Sequence, residues 1–169
     1  MPLKRLITTD ADTDFFDAVT FAGNIHINFP VGANRVQVDA CTSVANCQGN
    51  VWELGTPTGS RTPGLPGGVQ PQDVKGIRVT FTHSSDGYVI LPSSQIPNSS
   101  QCRDANICFD VTVKDSLPAS VDLLENSITG AGESPLQPPG TTFPIPEVTA
   151  PLSVVTGTSQ LTMAKSPNS

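Results

Sequence analysis

The sequence predicts an all-β protein built as an immunoglobulin-like β-sandwich, with a jelly roll as the alternative architecture. Three observations favour this fold class. Apolar and polar residues alternate at period two in about eight short segments, which is the pattern of half-buried strands. The 169-residue chain contains 16 prolines and 14 glycines, so turn signals separate these segments. Only 14% of the residues are charged, and the length suits one well-buried domain.

The clearest predicted strand covers residues 106–114. One face carries Ile107, Phe109, Val111 and Val113, and the other carries Cys108, Asp110, Thr112 and Lys114. No 3.6-residue period competes with this alternation. The strand should run into a turn at Asp115-Ser116-Leu117-Pro118.

Other segments with the same alternation predict further strands. Within residues 34–41, Val36 and Val38 are expected inward and Asp39 outward, and within 74–82 the inward residues include Val79 and Phe81. The other predicted strands, in chain order, are 3–8, 25–29, 50–54, 88–91, 121–131, 148–155 and 161–165.

The connections between these strands have their own signals. Acidic residues before Phe15 and Phe16 predict one helical turn with Asp or Thr as its N-cap. Residues 55–72 and 93–101 are predicted loops, and the Pro-rich stretch 132–146 is predicted to be extended. We therefore expect residues 1–147 to form the sandwich. Residues 148–169 should supply C-terminal strands that lead to, or pair with, the next module or subunit.

The four cysteines form two pairs of equal spacing, Cys41 with Cys47 and Cys102 with Cys108. Four cysteines allow three pairings, and the matched spacing favours two local disulfides that pin loops. A zinc site is the alternative, although zinc-binding cysteine pairs usually lie closer in sequence. Disulfides indicate an oxidising, extracellular compartment.

The charge and hydropathy of the chain exclude two classes of partner. A net charge of −6 argues against nucleic acid, whose phosphates require a basic face. No run of about 18 apolar residues exists, so we expect no membrane insertion in this segment. Residues 1–4 lack the apolar region of a signal peptide. Residues 166–169 are expected to lead into another module. The chain is therefore expected to be an excised module.

Several short segments of the sequence resemble segments of known surface proteins. The C-terminal phrases Asp115-Ser116-Leu117-Pro118, Glu125-Asn126-Ser127-Ile128-Thr129-Gly130 and Leu161-Thr162-Met163-Ala164-Lys165-Ser166-Pro167 resemble the tandem "conserved repeat" modules of large bacterial surface proteins. Asp14-Phe15-Phe16-Asp17-Ala18, Pro30-Val31-Gly32-Ala33 and the strand at 73–81 resemble modules of actinobacterial cell-wall proteins. The resemblance implies an Ig-like stalk or adhesin module at the cell surface or wall, with no enzymatic activity.

Asp10, Asp12 and Asp14 have a spacing that can chelate calcium through carboxylate oxygens. The segment is not an EF-hand, because Phe15 and Phe21 stand where that loop needs glycine and an acidic residue. A solvated acidic loop that caps a short helix is the alternative. Apart from calcium at this position, we expect no cofactor.

Surface modules of this general class can carry an intramolecular Lys–Asn isopeptide bond. It requires a lysine, an asparagine and a catalytic carboxylate together in an apolar core. Lys4 with Asn126, assisted by Asp110 or Glu125, is the set that the predicted first and late strands offer. A surface lysine and a turn-facing asparagine are the alternative.

Trp52 and Tyr88 could stack on sugar rings, but core packing is the favoured interpretation for both. No nucleophile or metalloprotease motif accompanies His26 and His83, so we expect no enzyme. The leading hypothesis is a non-enzymatic structural or spacer module of a bacterial surface stalk or fibre. The alternatives are an adhesin domain that binds a glycan or a matrix protein through loops 55–72 and 93–108, and a fibre subunit in which residues 148–165 complete a neighbour's sheet.

Overall fold

A computed structural model describes residues 2–85, 87–91, 106–115, 123–153 and 160–165. The described residues form ten strands and three short helices. The strands are β1 Pro2–Leu3, β2 Arg5–Asp10, β3 Val19–Ile27, β4 Arg35–Cys41, β5 Gly76–Thr82, β6 Val89–Ile90, β7 Ile107–Val113, β8 Leu123–Glu133, β9 Thr142–Ser153 and β10 Gln160–Lys165. The helices are α1 Thr13–Ala18, α2 Val44–Gln48 and a 3₁₀ turn at Pro71–Asp73.

The strands form two main sheets and a small one. The five-stranded sheet has the order β4-β5-β2-β8-β9, the three-stranded sheet has the order β10-β7-β3, and β1 pairs with β6. Neighbouring strands in each sheet are antiparallel. The prediction of an all-β fold is confirmed.

Both main sheets contribute to one hydrophobic core. Leu6, Val38 and Phe81 from the five-stranded sheet belong to the same buried cluster as Phe21 and Phe109 from the three-stranded sheet. Phe21 and Phe109 are ring neighbours, with centroids 5.3 Å apart. The predicted inward positions on β4, β5 and β7 are buried, because period-two alternation aims every second side chain at the opposite sheet.

Two local expectations need correction. β3 begins at Val19 and not near Ile25, because it continues through register shifts around Gly23. Gly23 and Asn24 have φ values of 90° and 54°, and they form a bulge within the strand just before the predicted start. Residues 132–146 are not one extended segment either, since a turn between β8 and β9 occupies residues 134–141.

The C-terminal strands belong to this module's own sheets. Residues 148–153 are part of β9 and pair with β8, and residues 160–165 form β10 and pair with β7. The predicted boundary at residue 147 therefore falls inside a strand. β9 contains three prolines, which are tolerated because it lies at the edge of the sheet, where missing N–H groups break few ladder bonds.

The opposite edge of the five-stranded sheet is covered by residues 53–58. Glu53 and Ala40 exchange backbone hydrogen bonds of 2.8 and 3.0 Å, and Thr58 and Val36 exchange two of 2.8 Å. Gly55 lies between them, where an added Cβ would be 2.0 Å from the Val38 carbonyl oxygen. The predicted strand at 50–54 is thus an extended loop that shields β4 from further strand pairing.

The two ends of β2 define two ends of the molecule. We call the end at Arg5 the near end and the end at Asp10 the far end. Arg5 of β2 and Arg35 of β4 both pair with Thr82. The chain between β3 and β4 therefore crosses at the near end, where the Phe29 and Phe81 rings lie 6.3 Å apart.

The last described strand also ends towards the near end. Ile27, at the end of β3, pairs with Ile107, and Ile107 pairs with Lys165. β2 consequently starts, and β10 finishes, towards the same end of the molecule. The far end carries α1, the loop with α2 and the start of β5. No helix in the described part of the chain is long and apolar enough to cross a membrane.

Candidate functional site

The outer face of the five-stranded sheet carries a groove of about 460 Å³. Residues 50–57, which run along the β4 edge, form one of its walls. Its lining comes from outward positions of β2, β4 and β5 and from that wall: Arg5, Ile7, Thr9, Gln37, Asp39, Asn50, Pro57, Arg78, Thr80 and Thr82. The groove is therefore polar, with two guanidinium groups and three threonine hydroxyls.

Asp39 anchors Arg78 within this groove. Arg78 Nε donates to Asp39 Oδ2 at 3.0 Å, and Arg78 Nη2 forms an ion pair with the same oxygen at 2.9 Å. Asp39 Oδ1 accepts from Gln37 Nε2 at 2.8 Å and from the Gly55 backbone N–H at 3.0 Å. Asp39 is only 1% exposed, which corrects the expectation that it faces solvent. The carboxylate is buried because residues 53–58 fold over it and supply a donor.

Trp52 contacts Arg78 and belongs to the segment that contributes Asn50 and Pro57 to the groove. The Arg78 guanidinium lies 4.8 Å from the centroid of the Trp52 ring, within the range of a cation–π contact. The Trp52 indole Nε1 donates to Asn50 Oδ1 at 2.8 Å. These contacts fix the guanidinium of Arg78 between a carboxylate and an indole, so its position is set before any ligand arrives.

At the near end, Arg5 is held by a second buried carboxylate. Its Nε donates to Glu133 Oε2, and the Gly140 N–H donates to Glu133 Oε1 at 2.9 Å. The Gly140 hydrogen bond and then the Arg5 guanidinium hold the pKa of Glu133 below its ordinary value, although burial partly opposes them. Glu133 thus stays ionised near neutral pH and keeps Arg5 in place.

A separate polar pair lies inside the core at the far end. Asp10 and Asn126 are 5% and 0% exposed, and Asn126 Nδ2 donates to Asp10 Oδ2 at 2.9 Å. Asp10 and Thr8 line a small space between the sheets whose other walls are apolar, from Ile77, Val79, Ile107, Phe109 and Ile128. Asp10 is therefore an inward strand residue and not part of an acidic loop.

The three aspartates proposed for calcium have separate contacts. Asp12 caps α1, because its Oδ1 accepts from the Phe15 N–H at 3.2 Å, and its Oδ2 accepts from the Ser127 N–H at 3.0 Å. Asp14 lies in the first turn of α1. The predicted helical turn with an aspartate cap is confirmed. Among the described residues, no three His, Cys, Asp or Glu side chains are grouped to hold a metal ion. Calcium binding stays a prediction.

The residues suggested for an isopeptide bond are not brought together. Lys4 is exposed at the near end, whereas Asn126 is buried at the far end beyond the Thr9 and Thr129 pairing. Asp110 lies on the three-stranded sheet, where Asn24 Nδ2 donates to its Oδ2 at 2.8 Å. Glu125 occupies the β8 position opposite Pro151. Lys4 and Asn126 are apart because Lys4 precedes the near end of β2, whereas Asn126 lies in β8 towards the far end.

The structure describes three of the four cysteines and both aromatic residues suggested for ligand binding. Cys41 is bonded to Cys47, with Cα atoms 5.3 Å apart. Cys108 is disulfide-bonded as well, and its predicted partner Cys102 lies outside the described residues. Trp52 is half-buried against Arg78 and outside the hydrophobic core, and Tyr88 is 46% exposed, so the prediction of core packing is wrong for both. Tyr88 adjoins Gly32 at the near end, and the two aromatic residues do not share a site.

Sequence reasoning missed the groove residues Arg5, Arg78 and Asp39, and it missed Glu133, which holds Arg5. Their only local signal is the outward position of Arg5 and Arg78 on alternating strands. The partners are 128 positions apart for Arg5 with Glu133 and 39 apart for Arg78 with Asp39, so no spacing motif could reveal them.

Comparisons with other proteins add no relative from which a function could be transferred. No protein-family model, no curated protein and no solved structure matches this chain.

Proposed function

We propose that this chain is a non-enzymatic structural module of an extracellular bacterial surface protein, folded as an Ig-like sandwich that projects from its parent chain. One observation carries the proposal. β2 starts at Arg5 and β10 finishes at Lys165 towards the same near end, because β10 pairs with β7 in the register Lys165 to Ile107. A module held at one end leaves its far end free to face outward.

The extracellular part of the proposal rests on the cysteines. Cys41 and Cys47 are joined across the far-end loop, and Cys108 is also in a disulfide. Disulfides persist in oxidising compartments and are rare in the cytosol. The surface-protein part rests on the resemblance of residues 115–118, 125–130 and 161–167 to bacterial repeat modules.

The same geometry disfavours two of the mechanical roles expected for a stalk. An in-line spacer needs its two chain ends at opposite ends of the sandwich. A fibre formed by strand addition needs a free strand, yet β10 already pairs with β7 of its own chain. A projecting module agrees with both observations.

The distance between the start of β2 and the finish of β10 tests this proposal. Spin labels at positions 4 and 165, measured by pulsed electron resonance, should give a shorter distance than labels at positions 4 and 46. β2 alone separates the two ends of the molecule by roughly 20 Å over its six residues. A distance between positions 4 and 165 that equals or exceeds the distance between positions 4 and 46 would refute a projecting module and favour an in-line spacer.

A ligand-binding adhesin domain is the second candidate function. The observation that favours it is the polar groove beside Trp52, whose two arginines are fixed in place by buried carboxylates. Of the two loops expected to recognise a ligand, part of 55–72 forms the groove wall through Pro57, and residues 93–105 lie outside the described residues. Binding to immobilised glycans or matrix proteins separates an adhesin from a purely structural module.

A further inference from the structure

We propose that the groove on the outer face of the five-stranded sheet binds an acidic saccharide. The groove, defined by Arg5, Thr9, Arg78, Thr80 and the wall at 50–57, is assigned as a site in its own right. This inference does not depend on whether the module projects or acts as a spacer, because the groove is built within one sheet.

The charge of the lining favours an anionic ligand. The lining contains two arginines and one aspartate, and each arginine is paired with a carboxylate: Arg78 with Asp39 and Arg5 with Glu133. Asp39 accepts three hydrogen bonds, and the two acidic residues are 1% and 5% exposed, so both carboxylates present little charge to the groove. The guanidinium groups are therefore the charged groups that the groove exposes, and they can orient an anion.

Both guanidinium groups keep donors for a ligand. Arg5 contacts Glu133 through Nε, and its two terminal nitrogens make no hydrogen bond in the described part of the chain. Arg78 uses Nε and Nη2 for Asp39, which leaves Nη1. The side chains of Arg5 and Arg78 are 39% and 23% exposed. A planar guanidinium with free N–H groups binds carboxylate better than a lysine does.

The remaining lining matches the hydroxyls and ring faces of a sugar. Thr9, Thr80 and Thr82 present hydroxyls, and Gln37 and Asn50 are amides at the wall. Ile7 and Pro57 add small apolar surfaces, against which the C–H face of a pyranose can pack. The volume of about 460 Å³ is that of an ordinary small-ligand pocket. A carboxylate-bearing saccharide uses all three kinds of contact, whereas an acidic peptide leaves most of the hydroxyls unused.

Calorimetry with the full chain tests the proposal, with tetragalacturonate as the probe. Maltotetraose is the neutral control of the same length, and tetraglutamate is the acidic peptide control. We expect tetragalacturonate to bind, maltotetraose to bind at least about tenfold more weakly through the loss of charge-assisted hydrogen bonds, and tetraglutamate not to bind. Affinity should fall as salt is raised.

Three variants locate the binding site. Arg5→Gln should weaken binding of tetragalacturonate about tenfold, and Thr80→Val, which keeps the charge and the strand preference, about threefold. Arg35→Gln is the matched control, because Arg35 is exposed on the same sheet but does not line the groove. Thermal melting checks that each variant is folded. No binding by the parent chain, equal binding of tetraglutamate, or a loss with Arg35→Gln equal to that with Arg5→Gln would overturn the proposal.

Discussion

The far end and the near end of the five-stranded sheet each bury an acidic side chain, but they hold it by different means. At the far end, Asp10 lies between the sheets and accepts from the carboxamide of Asn126. At the near end, Glu133 lies at the margin of the sheet and is held by the Arg5 guanidinium and the Gly140 N–H. The first arrangement depends on burial and packing, and the second depends on charge.

This difference predicts which end of the sheet should respond to changes in salt concentration and pH. Interactions inside an apolar core are screened little by salt, whereas a partly exposed ion pair is weakened by salt and by acid. The far end is also closed by the Cys41 to Cys47 bond and by the cap of α1, which fix it covalently and locally. Substitutions at the far end should therefore have large effects that are insensitive to salt, and substitutions at the near end smaller effects that depend on it.

The largest effect is expected from Asn126→Ala. The substitution removes the amide donor to Asp10 and leaves a cavity beside a buried carboxyl group, so the free energy of unfolding should fall by about 2–4 kcal/mol. Urea denaturation measures it, with Thr129→Ala, an exposed position on the same strand, as control. A loss of stability no greater than that of the control would show that the buried pair does not stabilise the far end.

Gly76→Ala tests the packing around the disulfide. A Cβ at position 76 would lie 2.5 Å from Cys41 Sγ and 2.9 Å from the Ala11 Cβ, so the loss of stability should be about 1–3 kcal/mol. Gly64→Ala is the matched control, since a Cβ there meets nothing within 4 Å. The loss caused by Gly76→Ala should shrink when Cys41 and Cys47 are replaced by alanine, because the nearest atom is then gone. Equal losses in both backgrounds would assign the strain to Ala11 instead.

Glu133→Gln should have the smallest effect and the clearest dependence on pH. Because the pKa of Glu133 is lowered in the folded protein, its ionised form stabilises the fold fully above the ordinary glutamate pKa, and this contribution is lost as the pH falls from that value through the lowered pKa of the folded state. We expect a loss of about 1 kcal/mol at pH 7, modest because Arg5 is partly exposed, that shrinks as the pH falls below the ordinary glutamate pKa.

Urea denaturation of the parent and of Glu133→Gln at several pH values measures this contribution. Glu53→Gln is the control, since Glu53 is an exposed glutamate. A difference in stability that persists unchanged at pH 3, or is insensitive to salt at pH 7, would contradict the electrostatic account of the near end.

The strands were predictable because their signal is local. On β4, β5 and β7 the apolar residues alternate, and each such residue is buried in the structure. The cap of α1 was also local, since Asp12 and the Phe15 N–H are three positions apart. Where the local signal was ambiguous, the prediction failed: the predicted strand began after Gly23 and Asn24, whereas long-range pairing with β7 carries β3 through them.

The candidate site could not be predicted in the same way. Asp39 occupies an outward strand position, and only the return of residues 53–58 along β4 buries it. Arg5 and Arg78 are ordinary surface residues in the sequence, and they become parts of one groove because β2 and β5 are neighbours in the sheet. No property of a single strand determines which strand lies beside it.

The all-β class, the buried faces of the main strands and the position of the first disulfide follow from the sequence. These features depend on residue alternation and on short spacings, which act within a few residues. Long-range pairing places the start of β2 and the finish of β10 towards one end of the molecule, lays a loop over the β4 edge, and brings two buried carboxylates to the arginines of the groove. Those features depend on strand order and register, which arise only when segments far apart in sequence compete for the same core.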